Sequence, residues 1–254
     1  MRLLVKLKCQ NNYVYDKRYY HKLQGFLYNI LKDSEYQQLH DKKGYKFFSF
    51  SNIFPIENNR YGTTKNLIIA SPNEKFIDVL KQRFEELKSN DKTINIGEML
   101  FKVYGLTVFK SRIRNNSRLI SATPIIVRIP SYMFGSYGIE SNKRYVYWRK
   151  EYSFECFVKQ LNENLIKKYN EFHNSDVKDV FLFEQFVFKK TTANHVVVDG
   201  KEYKFIGSVW EFIFSYLDRE QKRILQFGID TGFGERNSFG FGFVNVVNSV
   251  SKNS

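Results

Sequence analysis

The chain is poor in the residues that build covalent or metal-clamped scaffolds. Its two cysteines, Cys9 and Cys156, lie far apart with no CxxC pair and no histidine at ligand spacing. Neither a disulfide framework nor a zinc site is thereby indicated, and both thiols are expected to be buried in a reducing cytoplasm. Acidic residues are scattered, without a DxD or His-Asp cluster. No metal site and no cofactor are indicated, because a metal-dependent nuclease needs several carboxylates around its ion. No apolar run approaches the ~20 residues that cross a bilayer. The opening, Met1 to Lys8, alternates apolar and basic residues instead of forming a signal-peptide core, so neither secretion nor a membrane partner is expected.

What is present points elsewhere. Lysine and arginine outnumber aspartate and glutamate by 40 to 26, a formal net charge of +14, and a surplus of that size attracts polyanions, nucleic acid first among them. The 254 residues, with 25 Phe and 17 Tyr, suffice for two cores of ordinary domain size, ~100–150 residues each.

Residues Leu3 to Cys9 alternate like a half-buried strand. From about Arg18 to Asp33, Tyr20, Leu23, Phe26, Leu27, Ile30 and Leu31 recur at helical spacing. Phe47 to Phe54 reads as a strand and Leu67 to Ala70 as another. A helix through Phe76, Val79, Leu80 and Phe84 follows, then a strand from Glu98 to Phe109. The order β-α-β-β-α-β is the ferredoxin-like, RRM-like arrangement. From Leu119 the order restarts: a strand to Ile129, a loop rich in Gly, Tyr and basic residues, and a helix from about Tyr152 to Phe172. Strands follow in Val180 to Phe188 and Val196 to Tyr216, with an Asp199-Gly200 hairpin turn. A helix over Arg219 to Phe227 and a strand over Gly242 to Val247 complete the series. The expectation is an α+β protein of two tandem ferredoxin-like βαββαβ domains, residues 1–114 and 115–254.

The segment Gly232-Phe233-Gly234-Glu235-Arg236-Asn237-Ser238-Phe239-Gly240-Phe241-Gly242 concentrates glycine where a backbone could run close to a ligand. Its N–H groups could cradle phosphate oxygens and Arg236 could pair with one. It is no Walker A loop, lacking Gly-Lys-Ser/Thr, and no Rossmann fingerprint, since it enters a strand. Phe239, Phe241 and Phe243 have the spacing of one strand face and are expected in the core.

This run, followed by Phe243-Val244, resembles the C-terminal signature of the CRISPR-associated endoribonucleases that cut repeat transcripts into guide RNAs, members of the RAMP superfamily. Arg2 to Leu7, Leu23 to Asn29, Leu39 to Lys46 and Ser121 to Ile125 match that family in the same order. The resemblance implies metal-independent cleavage of precursor CRISPR RNA: a ribose 2′-hydroxyl attacks the adjacent phosphate, leaving a 2′,3′-cyclic phosphate and a 5′-hydroxyl. It implies a general acid or base at His40, with Lys46 as electrostatic stabiliser and Tyr28 as hydrogen-bonding partner. CRISPR repeat RNA would be the partner, a CRISPR effector complex the recipient of the product, and a homodimer one assembly open to it. The alternative is a non-catalytic RNA-binding subunit of such a complex.

Elementary chemistry agrees with part of this. Imidazole titrates near neutrality, and the chain has only four histidines. On a helix, Tyr28 falls roughly 120° from the centre of the apolar stripe. His21 and Lys32 share its side, with Gly25 leaving room between them, so His21 is the reserve catalytic candidate. His173 and His195 read as surface residues. For RNA binding, Lys110, Arg112 and Arg114 alternate at a strand end and so share one face, with Arg118 just beyond. Lys143, Arg144 and Arg149 interleave with Tyr145, Tyr147 and Trp148, which suits phosphate pairing beside base stacking. Equally, Tyr147 and Trp148 could simply cover the next helix.

Overall fold

The alternation at the N-terminus becomes β1 (Arg2–Cys9), whose Leu3, Val5, Leu7 and Cys9 are all buried. The computed structural model describes residues 1–15, 19–198 and 201–247. After β1 come α1 (Tyr20–Ile30), β2 (Ser49–Phe50), β3 (Thr64–Ala70), α2 (Glu74–Ser89), β4 (Thr93–Ile96) and β5 (Met99–Phe109). β1 lies antiparallel between β3 and β5, and the five-stranded order is β2-β3-β1-β5-β4. Without the β4 edge hairpin this is the ferredoxin-like order, both helices entering as crossovers. Leu23 and Leu27 of α1 and Phe76, Ile77, Leu80 and Phe84 of α2 are buried in the same core as the inward residues of β1, β3 and β5. Asn73 caps α2 by accepting the Phe76 N–H.

The pattern then repeats. β6 (Arg118–Ser121) is followed by a small antiparallel pair, β7 (Arg128–Pro130) and β8 (Tyr145–Tyr147), then α3 (Phe154–His173), β9 (Gln185–Val198), β10 (Lys201–Ile213), α4 (Arg219–Thr231) and β11 (Val244–Val247). The sheet order β11-β6-β10-β9 is again ferredoxin-like, so the chain carries two such domains in tandem. Ser153 caps α3, and Asp218 with Gln221 forms a capping box on α4. Cys9 and Cys156 are both free and buried. The chain groups into two compact units. The first holds Met1–Lys110, His195–Tyr203 and Ser238–Gly240; the second holds Ser111–Asn194, Lys204–Asn237 and Phe241–Ser254.

Several sequence expectations need correction. The strand expected from Leu119 to Ile129 is two separate strands. After Ser121 the backbone turns away, with the Ala122 N–H donating to Phe243 O and the Ile125 N–H to Ser208 O, and Pro124 has no N–H to continue a ladder. The loop around Tyr145 to Tyr147 is β8 of the small pair. The strand over Phe47 to Phe54 shrinks to Ser49–Phe50 plus a bridge at Phe54. β5 ends at Phe109, so Lys110, Arg112 and Arg114 are not on a strand. Residues 180–184 likewise precede β9. Phe239 lies in a 3-10 turn and Phe241 and Phe243 come before β11; both of the latter are buried, but by close packing and not as one strand face. Arg18 and the Asp199-Gly200 turn lie outside the described residues.

Candidate functional site

In the first unit, α1 and the polar linker after it bring Tyr28, His40 and Lys46 together. α1 turns Tyr28 off its buried stripe and leaves the ring half-buried against Phe48, with centroids 6.2 Å apart. The linker makes a short 3-10 turn at Gln37–Leu39, and the ring of His40 then meets Tyr28 edge-on at 5.3 Å. Lys46, just before β2, reaches back over the Tyr28 ring. Its ammonium donates to Tyr28 Oη at 3.0 Å and to His40 O at 2.8 Å. It thereby clamps the linker to the helix, which sequence spacing alone could not show.

The His40 side chain is 68% exposed, and its Nδ1 lies 2.7 Å from Asp41 Oδ1. A carboxylate at that distance favours the proton on Nδ1 and leaves Nε2 as the ring's free proton-accepting site. Tyr28 Oη also accepts from Gln24 Nε2 at 3.3 Å, and the same nitrogen donates to Ser238 O at 2.9 Å. Gln24 and Asp41 were not singled out from the sequence. A polar residue at a core-facing position of α1, one turn before Tyr28, was the available signal for Gln24.

His21 does not join this group. Its ring stacks on Phe239 at 5.8 Å, and its buried Nδ1 has no hydrogen-bond partner. A Cβ built on Gly25, between His21 and Tyr28, would meet nothing within 4 Å, so the helix surface is open there. Lys32 is exposed.

In the glycine-rich segment, protein occupies much of the space that the missing side chains leave. In the second unit, a Cβ on Gly234 or Gly242, both at positive φ, would run into Ile126 O or Phe233 O. A Cβ on Gly232 would press on the Asn237 side chain. The N–H groups of Gly232 and Gly242 donate to Gly228 O and Pro124 O. In the first unit, a Cβ on Gly240 would strike the rings of Tyr20 and Phe50. Asn237 donates to Phe233 O and Phe241 O and accepts from Lys168. Lys168, fully buried on α3, also donates to Gly232 O and Gly234 O. Burial pulls its ammonium down to about 7, against a smaller opposing pull from Glu235. Arg236 is exposed, and its guanidinium lies 5.7 Å from the Phe205 ring. Ser238 is half-buried.

Around β8, Trp148 is buried and donates Nε1–H to Ser153 O, packing on Phe157 at 4.7 Å; it covers α3. Tyr145 and Tyr147 stay half-buried, with Arg128 4.8 Å over the Tyr145 ring. Burial first, then the neighbouring Tyr145, pushes the Tyr147 phenol up to about 12. Lys143, Arg144 and Arg149 are exposed, as are Lys110, Arg112 and Arg114. Lys110 pairs with Glu74 at 2.6 Å, and Arg118 pairs with Glu211. His173 and His195 are at the surface, His195 against Glu202 at 2.8 Å. Among the described residues, no three of His, Cys, Asp and Glu converge to hold an ion, and no helix is long and apolar enough to cross a membrane.

The profile of the family described as CRISPR associated protein Cas6, C-terminal, matches residues 107–246. A CRISPR-associated endoribonuclease Cas6 from Haloferax mediterranei is 33% identical, with 97% of this chain and 94% of that protein aligned. The protein CRISPR-associated endoribonuclease Cas6 2 from Methanocaldococcus jannaschii is 30% identical over 97% of this chain and 100% of its own length. Among solved structures, one described as an RAMP protein binding different RNA substrates superposes with a TM-score of 0.71 at 22% identity, covering 98% of this chain and 100% of that one. That last likeness establishes the fold, and the sequence matches establish the kinship: this chain belongs to the Cas6 family of CRISPR-associated endoribonucleases.

Proposed function

We propose that this protein cleaves precursor CRISPR RNA within its repeats, without a metal ion, by attack of a ribose 2′-hydroxyl on the adjacent phosphate. The products are a 2′,3′-cyclic phosphate and a 5′-hydroxyl, and hence mature guide RNA. The observation that carries this reading is the convergence of His40, Tyr28 and Lys46, the first exposed and the other two half-buried. The reaction needs a proton acceptor for the 2′-hydroxyl, a donor for the departing 5′-oxygen and a cation beside the phosphorane. His40, through Nε2, with Nδ1 held by Asp41, serves as the acid or base. Lys46 supplies the cation and Tyr28 a hydrogen bond. His21, stacked on Phe239 with its Nδ1 buried, lies outside this cluster and is given no proton-carrying role in this reading.

In this reading residues 1–114 carry the chemistry and residues 115–254 hold the RNA. The phosphate contacts fall to exposed cations, Lys143, Arg144, Arg149, Arg236, Arg112 and Arg114. Lys110 joins them once RNA displaces Glu74. The glycines serve the segment's tight packing. The product passes to a CRISPR effector complex.

Incubation with a cognate repeat RNA in EDTA should give a single cut, blocked by a 2′-deoxy substitution at the nucleotide before it. Cleavage of the deoxy substrate would refute the mechanism. Repeat binding without any cut would instead support the RNA-binding subunit reading, for which the high exposure of the His40 side chain, 68%, is the favouring observation.

A further inference from the structure

Within the site just proposed, one side chain has a hydrogen-bond geometry that constrains the chemistry of another. Gln24 is buried, one turn before Tyr28 on α1. Its Nε2 lies 2.9 Å from Ser238 O and 3.3 Å from Tyr28 Oη. A backbone carbonyl only accepts, so the amide atom facing Ser238 must be the nitrogen, and the rotated amide would set two acceptors against each other. One N–H is thus committed to Ser238, and the second is directed at Tyr28 Oη.

Lys46 approaches the same oxygen from elsewhere, with Nζ at 3.0 Å. An ammonium has three donors and no acceptor, so here too the tyrosine oxygen must accept. A phenolic oxygen has two lone pairs and one proton. With both lone pairs engaged, by Gln24 and by Lys46, the proton of Tyr28 has to point toward a third group.

We propose that Gln24 is a positioning residue for cleavage, holding the Tyr28 hydroxyl as a hydrogen-bond donor toward the RNA, and not as an acceptor. The inference rests on the reading that Tyr28 takes part in cleavage, and it adds the direction in which Tyr28 works. A donor at that place serves an oxygen that gains negative charge, a non-bridging phosphate oxygen or the departing 5′-oxygen. Abstraction of the 2′-proton then falls to His40. The buried amide also ties this orientation to the backbone at Ser238, so it is set before RNA arrives.

The test uses the full chain and a cognate repeat RNA in single-turnover cleavage, with affinity read on the 2′-deoxy RNA. Gln24→Met keeps the length and removes both N–H groups. The expected result is a cleavage rate lower by ~10-fold or more, with affinity changed less than about threefold. In a Tyr28→Phe background the same change should cost less than about twofold, since the group it positions is gone. Gln24→Glu offers Tyr28 an acceptor in place of a donor. Its rate relative to the parent should be lowest at alkaline pH and should rise as the pH falls and the carboxyl regains a proton to donate. Should Gln24→Met fail to fold, that pH profile decides alone.

Equal losses from Gln24→Met with and without Tyr28 would overturn the inference, leaving Gln24 as packing. So would a Gln24→Glu rate ratio that does not vary with pH. A Tyr28→Phe variant at the parental rate would overturn the inference together with the assigned role of Tyr28. A parent that binds the repeat without cutting it would overturn the proposed function itself.

Discussion

Replacing Lys168 with methionine would remove the donor that holds the glycine-rich segment from beneath. Its buried ammonium serves Gly232 O, Gly234 O and Asn237 Oδ1. Asn237 keeps the bonds its Nδ2 donates to Phe233 O and Phe241 O, but its Oδ1 loses a donor together with the two glycine carbonyls. A buried acceptor left without a donor costs ~1–3 kcal/mol; a neutral amine has two N–H groups for the three acceptors, so the loss is about 3 kcal/mol at a pH above ~10.4, where the lysine is neutral in the folded and unfolded chain alike. Burial sets the folded value at about 7, below the ~10.4 of a free lysine. The unfolded chain therefore binds this proton more tightly. Between those two values stability rises with pH, by ~1.4 kcal/mol per unit, and it falls as the pH drops toward 7. The gap between parent and Lys168→Met should therefore be about 3 kcal/mol only above pH ~10.4, about 1 kcal/mol at pH 9, and lower by roughly a further 2 kcal/mol at pH 7. Trp148 and Trp210 are the only tryptophans, both buried in the second unit with Lys168. Urea unfolding followed by their fluorescence therefore reports on the right part of the chain. A gap that stays constant between pH 7 and 9, or widens on acidification, would refute the reasoning.

Other outcomes follow from the same contacts. Gly234→Ala places a Cβ against Ile126 O at a backbone φ of +65° and should destabilise by ~2 kcal/mol or more in the same urea assay. Lys46→Met should lower the single-turnover cleavage rate by about 10²-fold while repeat affinity, measured by filter binding, changes far less. Arg112→Gln combined with Arg114→Gln should weaken repeat binding and flatten the dependence of log K on log salt, by ~0.7 per lost phosphate contact. An unchanged slope would remove these arginines from the RNA path.

Local regularities were legible in the sequence and long-range ones were not. The apolar spacing of Leu23, Leu27 and Leu31 and the alternation of Leu3, Val5 and Leu7 gave α1 and β1, because those periods follow from which side chains must be buried. The ferredoxin-like order followed from the element sequence. β4 was missed, since four residues turning at Gly97 leave too short a pattern. The break between β6 and β7 was missed because it is set by the distant Phe243 and Ser208 carbonyl groups. At the site, family resemblance picked out His40, Tyr28 and Lys46, and helix geometry put Tyr28 off the core face. The bond from Gln24 to Ser238 spans 214 positions and leaves no trace in either local segment. Lys168 was not singled out from the sequence, because its burial is decided by where the glycine-rich segment folds back.

The most direct test of the central claim is cleavage of a cognate repeat RNA by His40→Ala, in EDTA and under single-turnover conditions. If His40 moves a proton in the reaction, the rate should fall by ~10²–10⁴, with repeat affinity and the melting temperature close to the parent's, as suits an exposed side chain whose partner is the neighbouring Asp41. A variant that cuts at the parental rate would contradict the assignment of the chemistry to this site.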